Sequence, residues 1–156
     1  MAKVSIVRTD QGIKQGLYEA LALLGGLGRY IRPADQVLLK PNLNGEEGFT
    51  NRDLVEALLQ LVLDFGAARV FMAEATFGND RMTDVFFKKT GFADLAHRYG
   101  VSLLNLNRSE AVAVKVAQPL AVDTVHIARE AYEADRIINL PNMKVHYATG
   151  VTLALK

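Results

Sequence analysis

Short apolar runs alternate with longer segments in which apolar residues recur at helical spacing, and this alternation constrains the fold more than any other feature. Residues 37–39 and 70–73 are apolar runs of strand length. The segment between them carries a helical stripe, formed by Leu54, Val55, Leu58, Leu59, Val62 and Phe65. Strand–helix–strand units of this kind predict a mostly parallel sheet covered by helices. We therefore predict an α/β domain with a Rossmann-like three-layer sandwich, and we assign residues 1–156 to one domain.

The other segments extend the same pattern. We predict further strands at residues 4–7, 101–104, 112–116, 137–138 and 151–155. Helices are predicted at residues 13–24, at residues 85–95 with a break at Thr90-Gly91, and at residues 127–134. No cap or turn follows the last alternating segment. We therefore expect the sheet to be incomplete at its C-terminal end, with the chain forming the N-terminal part of a longer domain or a shortened gene product.

The amino-acid composition argues against several classes of function. The chain has 18 Lys and Arg against 17 Asp and Glu, and this balance gives no support to nucleic-acid or membrane-surface binding. It has no cysteine, so it cannot hold a cysteine-ligated iron–sulfur cluster within its own sequence. Neither a signal-peptide pattern nor an apolar run near the roughly 20 residues of a membrane span is present. We expect a cytoplasmic protein, and self-association through exposed apolar surface is plausible.

Polar residues follow three of the predicted strands where each strand ends. They are Lys40, Asn42 and Asn44 after the first strand, Glu74 after the second, and Asn139, Lys144, His146, Thr149 and Thr152 after the third. Ligands of open α/β sheets bind beyond the carboxyl ends of the strands, so we predict that these side chains surround one pocket. Lysine charges and directional amide and hydroxyl groups suit a small carboxylate or phosphate ligand.

Several of these candidates also have a structural interpretation. Asn42 and Asn44 are common turn formers. Thr50 and Asn51 precede the central helical stripe and suit its N-cap. A helix N-terminus also binds anions, so Thr50 and Asn51 can serve both purposes.

Two residues are candidates for acid–base chemistry. His146 has the only type of side chain whose unperturbed pKa lies near neutrality, and Glu74 is the carboxylate of the predicted pocket. Glu74 can equally form a structural pair with a neighbouring lysine. Two ligands make no metal-binding signature, since zinc sites take three or four, so no metal site is predicted. The glycine-rich dinucleotide and P-loop motifs are absent as well.

The sequence resembles the bacterial and archaeal family known as domain of unknown function 362. The matching stretches are residues 37–44, 50–57 and 133–141, and above all the Lys-x-His-x-x-Thr-Gly-x-Thr-x-x-x-Lys run of residues 144–156. The family's recurrent polar positions fall on Lys40, Asn42, Thr50, Asn139, Lys144, His146, Thr149, Thr152 and Lys156. The resemblance implies a chain that continues beyond Lys156. It also implies an association with iron–sulfur proteins, through cysteine motifs outside this domain.

Three hypotheses follow. In the first, the domain is part of a redox-associated enzyme that acts on a small anion: lysines neutralise the charge, Asn42, Asn139 and Thr149 orient the ligand, and His146 moves a proton. In the second, it is a non-catalytic module that docks a ferredoxin-like partner or domain through its polar loops. In the third, the Lys144–His146 segment is structural. The reaction, the substrate and any cofactor are left open by the sequence.

Overall fold

Strands and helices alternate along the chain as the sequence predicts. The computed structural model describes residues 3–43, 48–77, 79–147 and 149–152. In chain order the elements are α1 (Ile13–Leu23), β1 (Gln36–Pro41), α2 (Arg52–Phe65), β2 (Arg69–Glu74), α3 (Asp80–Lys89), α4 (Phe92–Tyr99), β3 (Ser102–Asn105), β4 (Ala111–Lys115), β5 (Thr124–Ala128), α5 (Arg129–Glu133), β6 (Arg136–Leu140), β7 (Lys144–His146) and β8 (Gly150–Thr152).

Four strands form one parallel sheet in the order β3-β2-β1-β6. In β1, Leu38 lies opposite Phe71 of β2 and Ile137 of β6. The chain runs from β1 through β2 to β3 on one side, and β6 then returns to the other side of β1. The order therefore reverses between β1 and β6, which makes this pair the topological switch point of the sheet. The predicted α/β class and Rossmann-like arrangement are confirmed.

The main core lies on one face of the sheet. Val37, Leu39 and Met72 are 0% exposed there, since side chains along a strand alternate between faces. The covering helices contribute Val55, Leu58, Leu59 and Val62 from α2, Phe87 from α3, and Phe92, Leu95 and Ala96 from α4. The predicted stripe of α2 is therefore the layer that seals this face of the sheet.

A smaller core occupies the opposite face. Leu38, Phe71 and Ala73 pack there with Ala131 of α5. Ile137 lies opposite Leu38 in the register and shares this face, but it is 49% exposed. The described residues therefore cover the second face only in part.

Local sequence explains where α2 begins and ends. The Asn51 side chain accepts hydrogen bonds from the backbone N–H groups of Asp53 and Leu54, so Asn51, and not Thr50, caps the helix. Gly66 adopts a left-handed conformation with φ of 88° and ends it. The break predicted at Thr90-Gly91 is also found, since these two residues separate α3 from α4.

One predicted element is wrong, and another begins later than predicted. Residues 4–7 form no strand, and Val4 and Ile6 are 83% and 92% exposed, because no described strand lies beside them and β-propensity alone does not form a ladder. The helix predicted at residues 127–134 begins only at Arg129, because Ile127 pairs with Val112 in an antiparallel β4–β5 hairpin. The half-exposed strand predicted at residues 112–116 is β4 of that hairpin, outside the parallel sheet. Of the last predicted strand, residues 153–155 lie outside the described residues.

Leu39→Ala is expected to lower the free energy of unfolding by about 2–5 kcal/mol, because it opens a cavity beneath α2. Leu23→Ala is the matched control, since Leu23 is 67% exposed at the end of α1 and should change stability by about 0.5 kcal/mol or less. Urea unfolding followed by circular dichroism measures both values. Equal losses in the two variants would contradict this assignment of the core.

Candidate functional site

The carboxyl ends of β1 and β6 open onto a polar crevice at the switch point. Lys40 lies opposite Asn139 in the register, and Pro41 lies opposite Leu140. Lys40 is partly buried and Asn139 is exposed. These positions confirm that the first and third predicted strand ends lie at one edge of the sheet.

A closed loop between β1 and α2 forms one wall of this crevice. The Asn42 backbone N–H donates to Thr50 Oγ1 at 2.8 Å, and the Thr50 N–H donates back to the Asn42 carbonyl at 2.9 Å. The Thr50 hydroxyl in turn donates to the Leu140 carbonyl at the end of β6. The Asn42 side chain donates to the Gly48 carbonyl at 2.8 Å. Asn42 and Thr50 therefore fix the loop against the sheet, which is the structural interpretation of both residues.

The segment after β6 reaches the same loop. Lys144 Nζ donates to the Gly48 carbonyl at 3.2 Å, and Asn142 Nδ2 lies 3.5 Å from the Phe49 carbonyl. A Cβ atom on Gly48 would lie 3.1 Å from Lys144 Cδ, so the glycine leaves room for the lysine stem. These contacts bring the Lys144 ammonium close to the start of α2.

A cavity of about 450 Å³ opens at the N-terminus of α2, and Phe49, Asn51, Arg52, Asp53 and Asn142 line it. Arg52 Nε is buried without a hydrogen-bond partner, and no described acidic residue forms a salt bridge with the Arg52 guanidinium. Arg52 and Asn142 are not among the residues predicted from the sequence. Their positions could have identified them: Arg52 comes directly after the N-cap of α2, and Asn142 comes directly after the Asn-Leu-Pro sequence at the end of β6.

The Arg52 side chain runs along the connection between α3 and α4. Gly91 has a φ of +75°, and a Cβ atom there would lie only 3.0 Å from Arg52 Nε. Glycine at this position therefore permits both the backbone turn and the path of the arginine.

Lys40 and Glu74 pair directly with each other across β1 and β2. Lys40 Nζ lies 2.6 Å from Glu74 Oε2, and Glu74 Oε1 accepts the Ala75 N–H at 2.8 Å. Glu74 is 7% exposed, whereas the Lys40 side chain is 38% exposed. The lysine partner foreseen for Glu74 is thus Lys40, and the pair keeps a buried carboxylate compensated.

His146, Thr149 and Thr152 belong to the β7–β8 hairpin. His146 Nδ1 accepts the Thr149 N–H at 3.3 Å, which places the proton of a neutral imidazole on Nε2. The exposed Thr149 hydroxyl donates to the Val151 carbonyl at 2.9 Å, whereas Thr152 is 5% exposed and its hydroxyl has no hydrogen-bond partner among the described residues. Thr152 lies opposite Lys144 in the hairpin.

By their contacts, the described candidate residues fall into three sets. One is the Lys40–Glu74 pair, one is the start of α2 with the Asn42–Thr50 loop and Lys144, and one is the end of the β7–β8 hairpin with His146. Asn44 and Lys156 lie outside the described residues. Among the residues that the structure describes, no group of three or more His, Asp or Glu side chains is arranged to hold a metal ion.

The fold and this crevice define an α/β domain with a polar site at the switch point of a parallel sheet. The chain belongs to the family described as Domain of unknown function (DUF362), whose model matches residues 37–156. The resemblance identified from the residues is thus confirmed.

A relative from Synechocystis sp. bears the name Thylakoid-associated protein sll1697. It is 28% identical over 163 aligned residues, which cover 98% of this chain and 48% of the relative. The chain thus spans about half the length of the curated relative it matches. No solved structure matches the chain. Within the described part of the chain, no helix has the length and apolarity needed to cross a membrane.

Thr50→Val is expected to destabilise the domain by about 1–3 kcal/mol, because it leaves the Asn42 N–H without its acceptor and the Leu140 carbonyl without its donor. Thr50→Ser keeps the hydroxyl and should retain most of the stability. Equilibrium unfolding in urea measures both. Comparable losses in the two variants would show that the methyl group contributes as much as the hydroxyl, which would contradict this role for the hydrogen bonds.

Proposed function

We propose that this domain binds a small anion, a carboxylate or a phosphate, in the crevice beyond β1 and β6. One observation carries the proposal: Arg52 lines a cavity at the N-terminus of a 14-residue helix with its Nε buried and unpartnered. A buried guanidinium N–H without an acceptor is unfavourable, and an anion in the cavity would satisfy it.

The surroundings of Arg52 support an anion over a neutral ligand. The N-terminus of α2 carries the positive end of the helix dipole. Lys144 lies at the neighbouring Gly48 carbonyl, so its charge is close to the same helix end. Asn51 and Asn142 add amide groups to the cavity lining. Two cationic side chains and directional amides are a common arrangement for binding carboxylate or phosphate oxygens.

Among the described residues of this lining, Asp53 is the one with an acidic side chain. Its carboxylate occupies the first turn of α2, where it interacts favourably with the helix dipole in the absence of ligand. A bound anion would be repelled by it. Asp53 therefore weakens anion binding and sets an upper limit on the affinity.

In its wider form the proposal treats the anion as the substrate of a redox-associated enzyme. Lys40, Lys144 and Lys156 would neutralise the substrate, Asn42, Asn139 and Thr149 would orient it, and His146 would move a proton with the help of Glu74. In support, His146 and Lys144 alternate along β7 and so lie on the same face of the hairpin. The redox association rests on the family resemblance alone, and a cytoplasmic location is part of the same proposal.

Arg52→Gln and Lys144→Gln are each expected to weaken binding of inorganic phosphate by roughly tenfold or more, because each removes a charge-assisted contact. Asp53→Asn should strengthen it, because it removes the repelling carboxylate. Titration of ¹⁵N-labelled protein with phosphate, followed through the amides of α2, measures the affinities and locates the ligand.

Lys115→Gln is the matched control, since Lys115 is an 81% exposed side chain on the distant β4–β5 hairpin. It should leave phosphate affinity unchanged. The proposal fails if wild-type protein shows no saturable shifts at the start of α2, or if Arg52→Gln and Lys144→Gln bind phosphate as wild type does.

A second candidate function is the docking of a ferredoxin-like partner, and the outer face of the β7–β8 hairpin favours it. Val145 and Val151 are paired and are 88% and 51% exposed, with Met143 at 78% and Tyr147 at 97%. The hairpin thus turns its alternating polar residues inward and four apolar side chains outward. Exposed apolar groups of this kind are typical of interaction surfaces.

Val145→Glu is expected to weaken binding of a purified bacterial ferredoxin by roughly tenfold or more, because it places a charge at the centre of the apolar face. Val125→Glu is the control, because Val125 is an exposed valine in the separate β4–β5 hairpin. Biolayer interferometry with immobilised ferredoxin gives the affinities. Absence of binding by the wild-type domain would remove this candidate and leave the anion proposal untouched.

A further inference from the structure

A second cavity, of about 470 Å³, lies at the edge of the sheet, far along the strand order from the crevice at β1 and β6. Residues of α3, α4, β3 and α5 line it. No described strand pairs with the outer edge of β3. The volume lies in the range of small-molecule sites.

Part of the polar lining is internally paired. Arg108 Nη2 lies 2.6 Å from Asp84 Oδ2, and Arg108 Nε lies 3.2 Å from Asp80 Oδ2. Asn105 donates to Asp84 at 2.9 Å. The Asn105 hydrogen bond, with Arg108 beside it, lowers the pKa of Asp84, so this carboxylate is charged at neutral pH and compensated. The three lining side chains Asp84, Asn105 and Arg108 are therefore paired without a ligand.

Two charged side chains of the lining are not compensated in this way. Glu130 Oε2 is buried without a hydrogen-bond partner. Lys88 contributes to the lowered pKa of Asp84 but forms no salt bridge with a described residue. A buried carboxylate oxygen without a donor is unfavourable, and in native proteins such a group is usually satisfied by a partner. Among the described residues, the cavity therefore offers one carboxylate oxygen that has no donor and one lysine that forms no salt bridge.

The rest of the lining is apolar. Phe87, Ala93, Leu103 and Leu104 provide it. Phe87 is 4% exposed in the main core, and Leu104 packs against the smaller core on the other face of the sheet. The apolar surface is thus held in place by both cores and cannot collapse easily into the cavity.

We propose that this cavity binds a small zwitterion, of the class of apolar α-amino acids. The ligand's ammonium group donates to Glu130, its carboxylate pairs with Lys88, and its side chain packs on Phe87 and Leu103. The terminal torsion of a glutamate is broad, so a small rotation turns Oε2 toward the cavity. This site is independent of the anion crevice and stands or falls by itself.

The test uses L-leucine and L-phenylalanine as probes at millimolar concentration, with isothermal titration calorimetry and thermal unfolding as the readouts. Wild-type protein is expected to bind at least one of them. N-acetyl-L-phenylalanine, which lacks the ammonium, and phenethylamine, which lacks the carboxylate, should each bind roughly tenfold more weakly or worse.

Glu130→Gln and Lys88→Gln are expected to lose amino-acid binding, again by roughly tenfold or more. The matched controls are Glu133→Gln on α5 and Lys89→Gln on α3, which change charges next to the cavity but not in its lining. Glu130→Gln should fold as well as wild type, because Glu130 Oε2 makes no hydrogen bond with a described residue, and thermal unfolding of the variant checks this. The proposal is overturned if no apolar amino acid binds, or if Glu130→Gln binds them with wild-type affinity.

Discussion

The pairing of β1 with both β2 and β6 is the constraint on which the rest of the structure depends. Residues 37–39 are 0% exposed, so β1 is sealed on both faces as well as on both edges. Such a strand has almost no freedom to shift register, because a one-residue slip would exchange the faces of its side chains. The positions of Lys40 and Asn42 just beyond it are therefore fixed, and so is the edge at which β6 presents Leu140 to Thr50.

The crevice combines this rigid sheet with the described ends of the segment between β1 and α2. Thr50 is 3% exposed, and its hydroxyl joins two segments that are distant in sequence: the backbone after β1, at Asn42, and the end of β6, at Leu140. Asn42 and Thr50 use their polar groups in hydrogen bonds near the start of α2, whereas Arg52 Nε, two residues after Thr50, has no hydrogen-bond partner among the described residues. A site built from backbone turns and a helix end in this way can bind an anion with few charged residues.

The sequence predicted the fold best where the hydrophobic periodicity of a segment agreed with the capping residues and glycines at its ends. The stripe of α2, the cap at Asn51 and the glycine at 66 are all found, and so is the shared edge of residues 40 and 139, because parallel strands end on the same side. The prediction of a strand at residues 4–7 was wrong because it rested on β-propensity alone. No described strand pairs with this segment, and Val4 and Ile6 are exposed. The sequence could not predict that Arg52 Nε and Glu130 Oε2 lack hydrogen-bond partners among the described residues. Whether a charged side chain finds a partner depends on tertiary neighbours that are dozens of residues away in the sequence. Glu74 shows the converse, because its alternative structural role required only that β1 and β2 be adjacent.

The short connection at Thr90-Gly91, between α3 and α4, lies next to both proposed binding cavities. On one side Gly91 lies against Arg52, and on the other Phe87, Lys88 and Ala93 face the hollow beside β3. A larger side chain at position 91 would displace the Arg52 guanidinium, although the two residues are 39 positions apart in the sequence. Because one short connection borders both cavities, its backbone geometry is a requirement that the two share, and a substitution there would alter the lining of both at once.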